Sequence, residues 1–231
     1  MIKCITFDLD NTLWPCEEVI LNAEQKAYEW FDKNCPNISK NLSKQEIREF
    51  LISEAKKKPE YSHNLTFLRL NGYKNLLKNY NYSEKLSEEL MELYLNYRNK
   101  VNFYDNVLET LTELKNLFIL GTISNGNSSL AKIGIRDFFS FEIKSEDVGV
   151  KKPDSIIFEH AIKASGVKPE NIIHVGDNYV NDICGAKEVD MNYLWINHEQ
   201  IKEHNIESKY IVNSFQEVKD CILNNYKMED I

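Results

Sequence analysis

The apolar residues divide the chain into three stretches of different periodicity. Residues 2–7 form a short apolar run typical of a buried strand, and this run ends at the acidic side chain of Asp8. Between residues 16 and 100 the apolar positions recur only at the three- and four-residue spacing of helices. From residue 101 onward, apolar runs of strand length alternate with helical segments. The pattern therefore predicts one strand, then a purely helical block, then alternating strands and helices.

These elements predict an α/β fold, because alternating strands and helices form a parallel sheet with helices on both faces. We assign residues 1–15 and 101–231 to this Rossmann-like, three-layer core, and residues 16–100 to an inserted all-helical cap domain. Ligands of such sheets bind beyond the carboxyl ends of the strands. Since polar clusters follow several of the apolar runs, we expect them to meet at that edge, with the helical block as a lid.

The composition restricts the class of partner. The 231 residues include 28 Lys and Arg and 36 Asp and Glu, so the net charge is −8. A nucleic-acid-binding protein needs a basic surface, and this charge balance argues against one. No apolar stretch reaches membrane-spanning length and the N-terminus lacks a signal segment, so we expect a cytoplasmic protein with no membrane partner. A small anionic substrate remains compatible, because local groups and a metal override the global charge. The sequence carries no signature of an oligomeric state.

The cysteines give no indication of a metal or disulfide framework. The five of them are odd in number, widely separated along the chain and without a Cys-x-x-Cys pair. Scattered cysteines of this kind in a reducing compartment are predicted to be free thiols.

The first candidate for chemistry is a pair of carboxylates at the end of the first apolar run. Asp8 and Asp10 lie two residues apart, and side chains at that spacing point to the same side of a strand. Two negative charges held so close repel unless a cation or a shared proton relieves them. An acidic turn at a strand end is the alternative interpretation, because Asp and Asn are common in turns.

Three further polar clusters follow later apolar runs: Ser124-Asn125-Gly126, Lys151-Lys152-Pro153, and Gly176-Asp177 with Asp182. Taken singly, each allows another interpretation, since Ser-Asn-Gly is an ordinary turn and a Lys pair at a helix start is commonly solvated. A nucleotide-binding loop from Gly121 to Ser128 is disfavoured, because Asn127 stands where that loop requires Lys.

Taken together and in this order, the clusters resemble the four motifs of the haloacid dehalogenase (HAD) superfamily, across nearly the whole chain. The matching segments are Asp8-Leu9-Asp10-Asn11-Thr12, residues 122–126, residues 149–154 and residues 174–182. The resemblance implies a Mg²⁺-dependent phosphatase with a helical cap inserted after the first motif. Its substrate would be a small phosphorylated metabolite such as a nucleotide, flavin mononucleotide or sugar phosphate. Bacterial phosphatases of flavin mononucleotide and related ribityl phosphates are the most similar subgroup.

The resemblance also implies catalytic roles. Asp8 would be the nucleophile that takes the phosphoryl group as an aspartyl phosphate, and Asp10 would be the general acid and base. Thr12, counted with the substrate-binding residues, would hold Asp10 in place. Lys152 rather than Lys151 would reach both the phosphoryl group and Asp8, because the family pattern places this lysine directly before a proline.

The remaining roles concern binding. Ser124 and Asn125 would bind phosphoryl oxygens together with Lys152. Asp182 would support the site from outside the metal's ligand sphere. The implied cofactor is Mg²⁺, and its ligands would be Asp8, the backbone carbonyl of Asp10, and Asp177.

Several alternatives remain open within this resemblance. Dehalogenases of the family lack the second aspartate of the first motif, so the presence of Asp10 disfavours dehalogenation. A phosphomutase would retain both aspartates. A phospho-acceptor signalling module shares the residue types but is shorter and lacks a helical insert. In the helical block, four residues could contact a substrate or could equally serve packing and surface roles: Tyr61, His63, Arg69 and Arg98.

Overall fold

The chain divides into two units, and a computed structural model describes residues 1–198 and 206–225 of them. The core unit comprises the described residues of Met1–Pro15, Asn102–Gly126 and Gly134–Ile231. The helical unit comprises Cys16–Val101 and Asn127–Ile133. The segment after residue 126 therefore groups with the helices, through hydrogen bonds such as that from the Ser129 amide to Asn99 Oδ1 at 2.6 Å.

The core unit is built on a parallel six-stranded sheet, which confirms the predicted fold class. Its strands are β1 (Cys4–Phe7), β2 (Ile119–Ser124), β3 (Phe141–Lys144), β4 (Ile172–Gly176), β5 (Asn192–Ile196) and β6 (Ile211–Val212). Their spatial order is β3-β2-β1-β4-β5-β6, and every pair is parallel. This order reverses between β1 and β4, and in doubly wound sheets the crevice at such a point binds ligands.

The central strands are continuous apolar runs because helices cover both of their faces. All four residues of β1 and all five of β4 are buried. The register pairs Phe7 with Thr122 on one side and with Val175 on the other. The Asp8 amide extends this ladder by donating to the carbonyl of Val175 at 2.9 Å. The strands β1, β2 and β4 therefore end close to the same level, and the residues that follow them start from a common edge.

Eleven α-helices occur in the described residues: α1 (Cys16–Asn34), α2 (Pro36–Asn41), α3 (Lys44–Lys56), α4 (Leu65–Asn79), α5 (Leu86–Arg98), α6 (Val107–Leu114), α7 (Leu130–Ile133), α8 (Ser145–Val148), α9 (Ser155–Ser165), α10 (Gly185–Glu188) and α11 (Phe215–Asn225). Two segments of the core unit depart from regular α-helix. Residues Arg136–Phe138 form a 3₁₀ turn before β3 begins at Phe141. Residues Tyr179–Cys184 form a π-helical turn, and the chain continues from it as α10.

The helical unit has its own apolar core, formed by residues of α1, α2, α3, α4 and α5 and of the connection between α1 and α2. Its most buried members are Ala23, Phe31, Cys35, Ile38, Tyr73, Leu76, Leu77 and Leu90. A local signal begins α3. Ser43 and Glu46 form a reciprocal capping box at the start of α3, which satisfies backbone amides that have no partner inside the helix.

Two predictions from composition can be compared with the fold. All five cysteines lie in the described residues and are free thiols, as expected. Among the residues that the structure describes, no helix has the length and apolar character needed to cross a bilayer.

Candidate active site

Nearly all of the predicted site residues line a cavity of about 170 Å³ in the core unit. It lies where β1, β2 and β4 end, and it is lined by Asp8, Asp10, Asn11, Ser124, Asn125, Gly126, Lys152, Asp177, Asn178, Asn181 and Asp182. Thr12 is fully buried and does not line this cavity, although its hydroxyl contacts two of the residues that do. Four segments far apart in sequence thus meet at one edge of the sheet.

Lys152 is the centre of the cluster. Its Nζ lies 2.6 Å from Asp8 Oδ1, 2.6 Å from Asp182 Oδ1 and 2.7 Å from the carbonyl oxygen of Ile123. These contacts use all three ammonium protons. Only 2% of Lys152 is exposed, whereas Lys151 is an exposed residue. Burial disfavours the charged ammonium, but the carboxylates of Asp182 and Asp8 outweigh burial and raise the pKa of Lys152.

The backbone of Lys152 is held by a side chain that the sequence assigned to substrate. The Oδ1 atom of Asn125 accepts the Lys152 amide at 2.8 Å, and its Nδ2 donates to the Lys152 carbonyl at 3.1 Å. This two-way amide contact fixes the lysine loop to the end of β2. Ser124 is buried, and its Oγ accepts the amide of Gly126 at 3.0 Å, so its hydroxyl proton is available to another acceptor.

Asp8 follows β1 directly and faces three charged groups. One of its oxygens is paired with Lys152, and the other lies 3.4 Å from the Thr12 hydroxyl. Burial raises the pKa of Asp8 well above its usual range, and the nearby Asp182 and Asp177 carboxylates add to this, while Lys152 opposes it. The negative charge of Asp8 is therefore costly unless positive charge is supplied beside it.

Thr12 and Asp10 are arranged differently from the sequence expectation. The Thr12 hydroxyl lies 3.4 Å from Asp8 Oδ2 and 3.2 Å from Asp177 Oδ1, rather than bracing Asp10. Asp10 Oδ1 accepts the indole N–H of Trp14 at 3.0 Å. The reason is that β1 ends at Phe7 and the chain then turns, so strand alternation does not extend to Asp10. Asp8 and Asp10 nevertheless line the same cavity.

Asp182 is brought to Lys152 by the π-helical turn that follows β4. The turn brings the Asp182 side chain close to Gly176. A Cβ atom at position 176 would lie 2.3 Å from the Asp182 carboxyl carbon, so only glycine fits there. Asp182 Oδ2 accepts the Asn178 amide at 2.9 Å. Burial opposes its charge, but Lys152 and His174 outweigh burial and hold the pKa of Asp182 at about 2.

Asp177 follows β4 directly and is the third carboxylate of the cluster. Burial, reinforced by the charge of Asp182, raises the pKa of Asp177 to about 7. One carboxylate oxygen from each of Asp8, Asp177 and Asp182 lies within 4.8 Å of the others. Two of these three carboxylates, Asp8 and Asp182, pair with the Lys152 ammonium, and oxygen donors of this kind suit a hard divalent cation.

The metal ligands expected from sequence overlap this group without matching it fully. Asp8 and Asp177 are common to both, and Asp10 was expected to contribute only its backbone carbonyl. Both oxygens of Asp182 already accept hydrogen bonds, from Lys152 and from the Asn178 amide. Its contacts therefore suit a residue that supports the site more than one that binds a cation directly.

His174 belongs to the network as a structural residue. The side chain is fully buried within β4, with Nδ1 at 2.9 Å from Thr6 Oγ1 and Nε2 at 3.2 Å from Asp182 Oδ1. Burial lowers the pKa of His174, so the ring is neutral at pH 7. The only sequence signal for this role is an ionisable residue inside an apolar strand run. Because His174 lies in β4, its contact with Asp182 fixes the position of that carboxylate relative to the sheet.

The four candidates in the helical unit are mostly held by neighbours in that unit. The Arg69 guanidinium stacks on Tyr94 at 4.0 Å and pairs with Glu24 at 3.5 Å. The Tyr61 ring packs on Phe67 at 4.3 Å and lies 6.4 Å from His63. Arg98 is 2% exposed. These contacts assign Arg69 and Tyr61 to packing within their unit.

The chain is similar to known proteins over most of its length. The haloacid dehalogenase-like hydrolase family matches residues 2–190. A glyceraldehyde 3-phosphate phosphatase of Methanocaldococcus jannaschii is 31% identical, over 97% of this chain and 98% of that protein. A 5-amino-6-(5-phospho-D-ribitylamino)uracil phosphatase of Escherichia coli is 27% identical, over 86% of this chain and 84% of that protein.

Two crystal structures share both fold and detectable sequence similarity. A 2-haloacid dehalogenase from Pseudomonas syringae pv. tomato superposes with a TM-score of 0.89 at 28% identity, covering 96% of this chain and 98% of that one. A HAD phosphatase from Thermococcus onnurineus superposes with a TM-score of 0.70 at 28% identity, covering 97% and 98%. The family match spans most of the chain and includes every segment of the cavity described above. The chain therefore belongs to the haloacid dehalogenase-like hydrolases, as the four motifs predict.

Proposed function

We propose that the protein is a Mg²⁺-dependent phosphatase that hydrolyses a small phosphorylated metabolite through an aspartyl phosphate on Asp8. The observation that carries this proposal is the buried Lys152 ammonium, 2.6 Å from Asp8, in a cavity that is also lined by Ser124 and three further carboxylates. A carboxylate nucleophile needs a cationic partner when its target is an anionic ester. Relatives that act on phosphate esters of small metabolites support the substrate class.

In the first step, a carboxylate oxygen of Asp8 attacks the phosphorus atom. The bond from phosphorus to the ester oxygen breaks, and the departing alkoxide takes a proton from Asp10. In the second step, Asp10 removes a proton from water, and the resulting hydroxide attacks the phosphorus of the aspartyl phosphate. Inorganic phosphate leaves and the Asp8 carboxylate is restored, so the two steps balance.

The other residues bind and neutralise the phosphoryl oxygens. The Ser124 hydroxyl donates to one oxygen, since its own oxygen already accepts the Gly126 amide. The positive charge of Lys152 attracts the phosphoryl oxygens, while its three protons hold Asp8, Asp182 and the Ile123 carbonyl in place. The Thr12 hydroxyl contacts the carboxylates of Asp8 and Asp177, and Asp182 holds Lys152 beside Asp8.

The donor set fits a divalent cation. Asp8, the backbone carbonyl of Asp10, and Asp177 would hold Mg²⁺, with Asp182 supporting them. The ion supplies positive charge that favours ionised Asp8 and reduces repulsion between this nucleophile and the phosphoryl group. We propose that the helical unit serves as the inserted cap of the family and that the insertion spans residues 16–100.

Dehalogenation is the second candidate, because one similar crystal structure is a 2-haloacid dehalogenase. Both reactions would begin with attack by Asp8. Phosphatase activity is favoured because Asp10 lines the cavity as a second carboxylate, and only the phosphate ester needs a proton donor for its leaving alkoxide.

The decisive measurement is hydrolysis of para-nitrophenyl phosphate with and without a chelator. We expect equal release of nitrophenolate and phosphate with Mg²⁺, a loss of about 100-fold or more in EDTA, and recovery when Mg²⁺ is restored. Activity that persists in EDTA would contradict the metal assignment. Chloride release from 2-chloropropionate without phosphatase activity would identify a dehalogenase, and a stable phosphoprotein would identify a signalling module.

Replacement of Asp8 by Asn tests the nucleophile. The substitution keeps the shape of the side chain but removes its charge, so we expect turnover to fall about 10⁴-fold or more while the circular dichroism spectrum is unchanged. Asp137→Asn is the matched control, because Asp137 is an exposed aspartate of the core unit outside the cavity. Activity of Asp8→Asn within tenfold of the control would remove Asp8 from this role.

The Asp10→Asn variant separates the two chemical steps. The amide oxygen still accepts the Trp14 indole N–H, so the loop stays in place. Para-nitrophenolate leaves without a proton, but release of the phosphoryl group from Asp8 still needs the base. We therefore expect a burst of nitrophenolate close to one per chain, and then a steady rate that is about 10²- to 10⁴-fold slower than in the wild type. An unchanged steady rate would show that another group acts as the base.

The adjacent lysines provide a matched pair for stability. Lys152→Met removes the ammonium shared by Asp8 and Asp182, and leaving buried charges unpaired costs about 3–5 kcal/mol. Lys151→Met alters an exposed side chain, so we expect a change within about 0.5 kcal/mol. Urea unfolding monitored by circular dichroism measures both, and equal midpoints would contradict the central position of Lys152.

A further inference from the structure

A second cavity of about 350 Å³ opens in the core unit, and the chemistry proposed above makes no use of it. Its described lining consists of Asn11, Tyr104, Asp177, Asn178, Tyr179, Val180, Trp195, Ile196, Asn197 and His198. Asn11, Asp177 and Asn178 also line the active-site cavity, so the two cavities adjoin. We refer to the second one as the aromatic cavity.

The walls of the aromatic cavity are flat rings in fixed positions. Trp195 is 1% exposed, and its indole N–H donates to the Asp177 carbonyl at 2.7 Å. Tyr179 meets this indole edge to face at 5.9 Å, and the rings of Tyr104 and His198 are 4.1 Å apart. Val180, with 55% of its surface exposed, adds an apolar group to the lining. Rigid rings present a large contact area for a planar ligand at low entropic cost.

The polar groups of the aromatic cavity are neutral, with one exception. Among its described lining residues, Asp177 is the only one with a charged side chain, and none is Lys or Arg. Burial lowers the pKa of His198, which keeps the ring neutral at pH 7. Its Nε2 is enclosed and has no hydrogen-bond partner within the described part of the chain. The described lining thus offers no cationic side chain to a second anion, and it offers amide and imidazole groups to a neutral polar group.

We propose that the aromatic cavity is a substrate subsite for a neutral planar heterocycle of pyrimidine size. The inference rests on the proposed function, because it places the heterocycle on the same molecule as the phosphoryl group bound at Asp8. Stacking on Tyr179 and Tyr104 supplies affinity, while the amides of Asn178 and Asn197 and the imidazole of His198 recognise the polar edge of the ring. Ring-bearing phosphate esters are therefore preferred over sugar or triose phosphates that lack a ring.

Two esters that differ only in the ring test this preference. Uridine 5′-monophosphate and ribose 5-phosphate present the same phosphoryl group on the same sugar carbon. We expect a higher kcat/KM for the uridine ester in the wild type. Loss of a stacking side chain costs about 1–3 kcal/mol per base, so Tyr179→Ala should lower the ratio of the two kcat/KM values by about fivefold or more.

Tyr210→Ala is the control variant. Tyr210 is a partly buried tyrosine of the core unit outside both cavities, and it also makes a ring contact, with Tyr193 at 5.0 Å. We expect it to leave the ratio unchanged. Equal kcat/KM values for the two esters in the wild type, or an equal effect of the two tyrosine variants, would overturn the proposal.

A binding measurement separates this proposal from the phosphatase assignment. Saturation-transfer NMR with uridine, which has no phosphate, reports occupation of the aromatic cavity without any turnover. We expect a signal in the wild type and in Tyr210→Ala, and a reduced signal in Tyr179→Ala. That result with no hydrolysis of either ester would refute the proposed function but keep the subsite. Hydrolysis of both esters with no uridine signal in the wild type would do the opposite.

Discussion

The site depends on one buried ammonium group that two carboxylates share. Lys152 is 2% exposed and bonds to Asp8, Asp182 and a backbone carbonyl of β2, so its charge is compensated on every proton. A buried lysine without such partners would lose its proton. Because each contact comes from a different segment, the pairing forms only when β1, β2 and the turn after β4 have reached their final positions. The same atom therefore links the fold of the core unit to its proposed chemistry.

The topology of the sheet explains why these segments meet. The strand order reverses between β1 and β4, so Asp8 and Asp177 leave neighbouring strands at the same edge. The pairing of Thr6 with His174 in the sheet places the imidazole against Asp182, and this ties the cluster to the interior of the strands. All groups assigned to bond making and breaking consequently belong to the core unit. The helical unit has an apolar core of its own.

Sequence reasoning succeeded where a pattern is local or repeated. Periodicity gave the parallel sheet and the helical block, and the order of the four motifs indicated the residues that line the cavity. It failed where a side chain's direction depends on the backbone path. The orientation of Thr12 toward Asp177 follows from the turn after Phe7, and the clamp from Asn125 to Lys152 joins loops 27 residues apart. The contact between His174 and Asp182 depends on the backbone path in the same way, since Asp182 approaches through a π-helical turn that periodicity does not predict.

The active-site cavity is lined by several charged side chains and the aromatic cavity, in its described lining, by one, and this difference bears on selectivity among substrates. Groups that bind a phosphoryl oxygen act alike on every phosphate ester, so they promote the reaction without choosing among substrates. Discrimination needs contacts to the rest of the molecule, and buried polar groups left unpaired by the wrong substrate are the strongest source of it. The enclosed Nε2 of His198 is a group of this kind, in a cavity that is also lined by the Trp195 ring, which the backbone carbonyl of Asp177 holds in place. Asp177 lines both this cavity and the active-site cavity. A substrate whose neutral ring binds to these groups would therefore be recognised next to the residue that also bounds the phosphoryl site. Recognition of the ring is in this way coupled to the position of the reacting bond.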